Sequence, residues 1–176
     1  KNKKQFYQTH KINGRWENQF LNVRYIPQVK QIFRFACLAA KSFKDIPLII
    51  PYKELGLPIN EFWFNISKPG DATAWHNHKN QSILSGVYYL KVPKNSGNIK
   101  FRKRISEDYI EWVVKAEAGK MILFDPTIKH SVPKNRSDEN RISLAFNLYS
   151  IPLALDYSRS DYKSKNINKI PVSRVI

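Results

Sequence analysis

Three histidines and one arginine dominate the chemistry this chain could perform. His76 and His78 stand one residue apart in WHNH, His130 falls in FDPTIKHSV, and Arg141 opens RISLAFNLY. Only four histidines occur in 176 residues, and three of them lie in this pattern. A divalent transition metal needs neutral imidazoles or carboxylates converging from separate elements, with positions left open for reactants. On a strand, residues i and i+2 project from one face, so His76 and His78 can reach the same ion while Asn77 turns away. His130, after the apolar run Met121–Phe124, supplies a third ligand from elsewhere. His10 lies apart, in a basic leader, and reads as a surface residue.

Arg141 and Ser143 share a strand face, and together they can clamp a carboxylate with a guanidinium fork and a hydroxyl. The alternative for Arg141 is a surface ion pair with Asp138 or Glu139. Tyr89 either adds a phenol donor from a neighbouring strand or packs as a half-buried strand aromatic. Asn65 and Ser67 share the polar face of the run Phe62–Ser67, which suits the wall of a site, whereas Phe62, Phe64 and Ile66 form its apolar face.

The elements that must position these residues follow from hydrophobic period. Residues 1–23 are polar and basic and read as loops with one short strand. After Pro27, which suits a first helical turn, Val29, Ile32, Phe33, Ala36, Cys37 and Ala40 recur at helical spacing. Pro47 and Pro51 end that helix. The period then shifts to two through Phe62–Ser67, Ile83–Val92, Asn98–Arg104, Tyr109–Lys115, Met121–Phe124 and Ile142–Tyr149. Six or seven short strands after one main helix predict an antiparallel sandwich or barrel rather than βαβ units. The organisation expected is residues 1–60 as leader and supporting helix, 61–150 as the β core, and 151–176 as an arm or tail, all in one domain.

The formal charge of +16 could draw nucleic acid, an anionic surface or an acidic substrate. The lysines are scattered, however, and the one dense patch (Lys100, Arg102, Lys103, Arg104) reads as a solvated strand edge. No apolar run approaches the length of a membrane span, and no secretory segment is evident, so a soluble, cytoplasmic protein without a membrane partner is expected. The single cysteine, Cys37, excludes an intrachain disulfide and reads as a buried small residue.

The segments WHNHKNQSILSGVYYLKVPKNSGNIKF, AGKMILFDPTIKHSVPKN and RISLAFN resemble the iron(II)/2-oxoglutarate-dependent oxygenases, in particular the small branch found in phage and marine bacterial genomes, more distantly related to prolyl hydroxylases. The resemblance implies a mainly β, double-stranded β-helix (a cupin-like jelly roll) with N-terminal helical support. It implies Fe(II) and 2-oxoglutarate as cofactors, dioxygen as co-substrate, and hydroxylation of a substrate such as a peptide or protein side chain. His76 matches the first ligand of the family's H-x-D/E/H motif, with His78 at its last position, and His130 matches the distal ligand. Arg141 matches the arginine gripping the distal carboxylate of 2-oxoglutarate, with Ser143 completing R-x-S, and Tyr89 matches a tyrosine assisting that carboxylate. His78 stands where most of the superfamily has a carboxylate, which removes a negative charge from the donor set. Two other functions fit the same residues: a three-histidine cupin dioxygenase that needs no oxoacid, and a non-enzymatic jelly-roll module binding nucleic acid or glycan.

Overall fold

The computed structural model describes residues 6–12, 15–78 and 82–153. Eleven strands and one α-helix are laid out among the described residues. The hairpin β1 (Tyr7–Ile12) and β2 (Arg15–Phe20) precedes α1 (Val29–Ala40) and the two-residue β3 (Leu48–Ile49). Then come β4 (Phe62–Ser67), β5 (Thr73–His76), β6 (Leu84–Lys91), β7 (Ile99–Ile105), β8 (Asp108–Val114), β9 (Met121–Phe124), β10 (Lys129–Val132) and β11 (Arg141–Ser150). They form two antiparallel sheets: a larger one ordered β1-β2-β4-β11-β6-β9, with β3 on β11, and a smaller one ordered β5-β10-β7-β8. This is the antiparallel, mainly β architecture expected from the two-residue period, in the jelly-roll form that the family resemblance implies.

The helix packs on one side of the large sheet and the small sheet faces the other. Val29, Phe33, Ala36 and Ala40 of α1 bury against Phe62 and Phe64 of β4 and Leu144, Phe146 and Leu148 of β11. Between the sheets, Val87, Tyr89, Ile99, Phe101 and Ala116 form a second core, with Phe124 and Val132 against it. The pleat explains the division of labour. In β11 the even positions Ile142, Leu144, Phe146 and Leu148 belong to the helix-side cluster. The odd positions Arg141, Ser143, Ala145 and Asn147 line a cavity. The pairings Ser143↔Asn65, Ala145↔Trp63, Ser143↔Tyr89 and Asn147↔Ser85 carry the same parity onto β4 and β6.

Three elements depart from the sequence expectation. The polar leader forms two strands rather than loops and one strand; the hairpin joins the large sheet through Gln19↔Phe64, at an edge where polar residues can remain in solvent. β10 was not expected as a strand, since KHSV is four residues lying between Pro126 and Pro133 with no apolar alternation; pairing to β5 and β7 creates it. β3 is too short to carry a period. Cys37 is part-buried, and desolvation raises its thiol pKa. No helix among the described residues is long and apolar enough to cross a membrane. The side chain of His10 and the segment 154–176 lie outside the described residues.

Gly86 lies opposite Phe146 in the β6–β11 register. A Cβ there would come within 2.2 Å of Phe146 Cε2 and 2.9 Å of Leu123 Cδ2, both in the packed interior. Gly86→Ala is therefore expected to destabilise the protein by about 2 kcal/mol, the usual scale of core overpacking. Chemical denaturation of wild type and variant checks it; equal midpoints would contradict the packing described.

Candidate metal centre and carboxylate pocket

The two neighbouring strands of the small sheet bring the histidines together. His130 of β10 pairs directly with His76, the last residue of β5. His78 lies just beyond the strand, where its backbone N–H donates to Pro126 O at 2.8 Å, and the Asn77 amide donates to Thr127 O at 3.3 Å. The segment after β5 is thus tied to the β9–β10 connection. The ring centroids are 4.2 Å apart for His76 and His130, 5.2 Å for His78 and His130, and 5.5 Å for His76 and His78. One ring nitrogen from each lies within 4.8 Å of the others, and this is the metal-competent group among the described residues.

Backbone carbonyls orient two of the rings. His76 Nδ1 lies 2.9 Å from Ala74 O and His130 Nδ1 lies 3.2 Å from Ile128 O. A carbonyl can only accept, so each Nδ1 donates and each Nε2 keeps its lone pair for a metal. His130 is buried against Phe101 and Phe124. Burial, reinforced by the neighbouring His76 and His78, pushes its pKa down to about 3, so it is neutral throughout the physiological range. His76 is exposed, leaving the cluster accessible from one side. The donor set therefore fits a divalent transition metal held by nitrogen.

Arg141 lies on the opposite sheet. It is 3% exposed, which excludes the surface ion pair as its main role, and its Nη1 donates to Ser96 O at 3.3 Å and Gly97 O at 3.2 Å. Ser143 is buried beside it, and Tyr89, 2% exposed, faces Ser143 across the strand pair. Desolvation holds the Tyr89 phenol up at about 12 against the opposing pull of Arg141, so it stays a hydroxyl donor. Arg141, Ser143, Tyr89 and Asn65 line one cavity of about 660 Å³ together with His76, His78 and His130. Ser67 is buried and pairs with Arg141. It is not among the cavity's lining residues, and its carbonyl accepts from Asn135 Nδ2.

Sequence reasoning missed the far end of the same cavity. Glu61, Asn147 and Ser85 are buried there and hydrogen-bonded in series, Ser85 Oγ donating to Asn147 Oδ1 and Asn147 Nδ2 to Glu61 Oε2, each at 2.8 Å. The signal was present as parity: Asn147 shares the face of Arg141 and Ser143, and Ser85 that of Tyr89.

A family model described as "Putative 2OG-Fe(II) oxygenase" matches residues 61–111 and 103–147, and the chain belongs to this 2OG-Fe(II) oxygenase family, whose cofactors are Fe(II) and 2-oxoglutarate. Comparison with curated proteins finds no match. Among solved structures, the non-heme alpha-ketoglutarate-dependent carbocyclase SnoK from nogalamycin biosynthesis superposes with a TM-score of 0.64 at 12% identity, over 85% of this chain and 70% of that one. AviO1 from Streptomyces viridochromogenes Tue57 gives 0.58 at 13%, over 86% and 76%. A 2OG-Fe(II) oxygenase family oxidoreductase from Burkholderia pseudomallei gives 0.56 at 16%, over 76% of this chain and 62% of that one, less than two thirds of its length. At these identities the likeness is one of fold.

The buried neutral His130 has a consequence for stability. Its folded pKa of about 3 lies below the unfolded value near 6.5, so between those values the unfolded chain binds the extra proton. Stability of the metal-free protein should fall as pH drops below about 6.5, by up to ~1.4 kcal/mol per unit from this residue. Denaturant midpoints at pH 7, 6 and 5 test this, and His130→Asn should flatten the slope over that window. An unchanged slope would place the proton elsewhere.

Proposed function

We propose that this protein is an Fe(II)/2-oxoglutarate-dependent dioxygenase that hydroxylates a C–H bond of its prime substrate. The reading rests on one observation: a cluster of three histidines and a buried arginine line a single cavity. The balanced reaction takes substrate, dioxygen and 2-oxoglutarate to hydroxylated substrate, succinate and carbon dioxide. When bound, the iron and oxoacid supply the oxidising power and the protein supplies placement.

His76, His78 and His130 are the residues proposed to hold the metal. Ala74 O and Ile128 O keep two of the rings in the tautomer that ligation requires. Arg141 takes the distal carboxylate of 2-oxoglutarate, its guanidinium steadied by the Ser96 and Gly97 carbonyls, and Ser143 and Tyr89 add hydroxyl donors from adjoining strands. Asn65, on the same inner face, and Ser67, behind it, complete that wall. Val87, Ile99 and Phe124 exclude water between the two ends, which strengthens every charge-assisted contact inside. The carbocyclase among the structural neighbours means the fold alone does not choose hydroxylation; the choice rests on hydroxylation being the simplest outcome for C–H oxidation.

An anaerobic titration with Fe(II) and then 2-oxoglutarate should develop a visible metal-to-ligand charge-transfer band. His76→Ala should abolish it, and Arg141→Ala should weaken 2-oxoglutarate binding about 100-fold, the scale of a lost buried charge-assisted pair. Tyr89→Phe, removing one neutral donor, should cost only about fivefold. Iron binding without a band, insensitive to Arg141→Ala, would shift the reading to a three-histidine dioxygenase that binds substrate directly. No iron binding at all would leave a metal-independent binding module.

A further inference from the structure

The small sheet has two faces, and its inner face carries the histidines. The register sets His76, His130, Phe101 and Trp112 in one row across the four strands. Residues one step along each strand from that row point outward. On the outer face Lys129 pairs with Arg102, Ser131 with Lys100, and Arg104 with Tyr109. The pleat thus sorts the dense basic run of the sequence. Lys100, Arg102 and Arg104 turn outward along β7 at intervals of about 7 Å, while Lys103 turns to the other face with Ile110. Against four outward cations, Lys100, Arg102, Arg104 and Lys129, the register sets one acid, Glu111.

Two aromatic rings stand among these cations. Trp75 and Tyr109 come from β5 and β8, the two edge strands of the sheet, and both reach the Arg102 guanidinium. Its Cζ lies 4.3 Å from the Trp75 ring centroid and 4.9 Å from that of Tyr109. Such cation–π contacts steady the arginine and the rings together. Tyr109 is 47% exposed and Trp75 is half-buried, so ring surface stays open to solvent. Lys129 directly opposite Arg102 is a like-charge cross-strand pair. Such a pair works against the joining of β10 to β7, and an anion lying over it would relieve the repulsion.

We propose that the outer face of the small sheet is a binding surface for single-stranded nucleic acid. Phosphates follow the cations along β7 and Lys129, and unpaired bases stack on Trp75 and Tyr109. The occupant follows from the two features together. An acidic polypeptide would satisfy the charges and leave the rings unused, and a duplex keeps its base faces inside its own stack. Trp75 immediately precedes His76 on edge strand β5 and is itself among the residues lining the cavity, so the surface meets the cavity at that edge. None of the outward residues is required to hold metal or oxoacid, and the surface stands apart from the dioxygenase reading.

The test is fluorescence anisotropy of a labelled single-stranded oligothymidine of about 12 nucleotides, titrated anaerobically with the full chain in the presence of Fe(II) and 2-oxoglutarate. Binding should saturate, and log affinity should fall with log salt at a slope of about −3, the value for four phosphate contacts on a single strand. Lys100→Ala with Arg104→Ala should roughly halve that slope. Tyr109→Ala should weaken binding about tenfold with the slope unchanged. Lys30→Ala with Lys41→Ala removes the same charge from exposed positions at α1, on the far side of the large sheet, and should change neither. Equal losses from the two double variants would overturn the proposal, since general charge attraction would then account for binding. So would competition by polyglutamate, or by the oligothymidine annealed to its complement, as effective as that by the unlabelled single strand. The wild-type competition series decides even if a variant fails to fold. The charge-transfer band, read in the same samples, reports on the metal site separately. Oligonucleotide binding without the band keeps the surface and sinks the dioxygenase; the band without oligonucleotide binding does the reverse.

Discussion

Because successive side chains of a strand alternate faces, β4, β11 and β6 cannot alter their cavity face without a matching constraint on their core face. Phe62, Phe64, Leu144, Phe146 and Leu148 are buried against α1, and their burial fixes the register of all three strands. Trp63, Asn65, Ser143, Asn147, Ser85 and Tyr89 then have no choice of direction. A one-residue slip in β4 or β11 would turn core phenylalanines toward the cavity and polar groups toward the helix, and a slip in β6 would do the same with Leu84 and Ser85, at a cost of several buried side chains. The site is therefore specified by packing on the side of the sheet away from it. This makes the helix-side core, remote from any reacting group, as necessary to the cavity as the residues that line it.

The same parity decided what could be read from the sequence. Helix α1 and the strand Phe62–Ser67 were legible because their periods are strong, Met121–Phe124 because it is a continuous apolar run, and the His76, His78 and Arg141 positions because those residue types are scarce or stand at a strand start. The small sheet was legible only in part. β10 has four residues and no apolar alternation, yet it carries His130 and seats it against His76; its strand character comes from its neighbours, and no local pattern encodes that. The convergence of Glu61 with Asn147 was hidden for a different reason. The two residues are far apart in the chain, and each taken alone is an ordinary polar residue at a strand end. Only the antiparallel register of β4 and β11 joins them.

Charge gives the cavity its second organising constraint. The histidine cluster offers three ring nitrogens and no carboxylate oxygen. Arg141 places a positive charge in the same enclosed space. A buried guanidinium in a poorly solvated cavity attracts an anion, since opposite charges interact more strongly where the effective dielectric is low. The basic exterior works in the same sense at longer range, drawing small anions toward the protein before any specific contact forms.

Glu61 runs against that field. In a chain with 30 basic and 14 acidic residues, an acid nine-tenths buried in a cavity wall is the placement that non-specific electrostatics would least explain. Asn147 of β11 donates to it and is in turn held by Ser85 of β6, so the network also ties strands of the large sheet together.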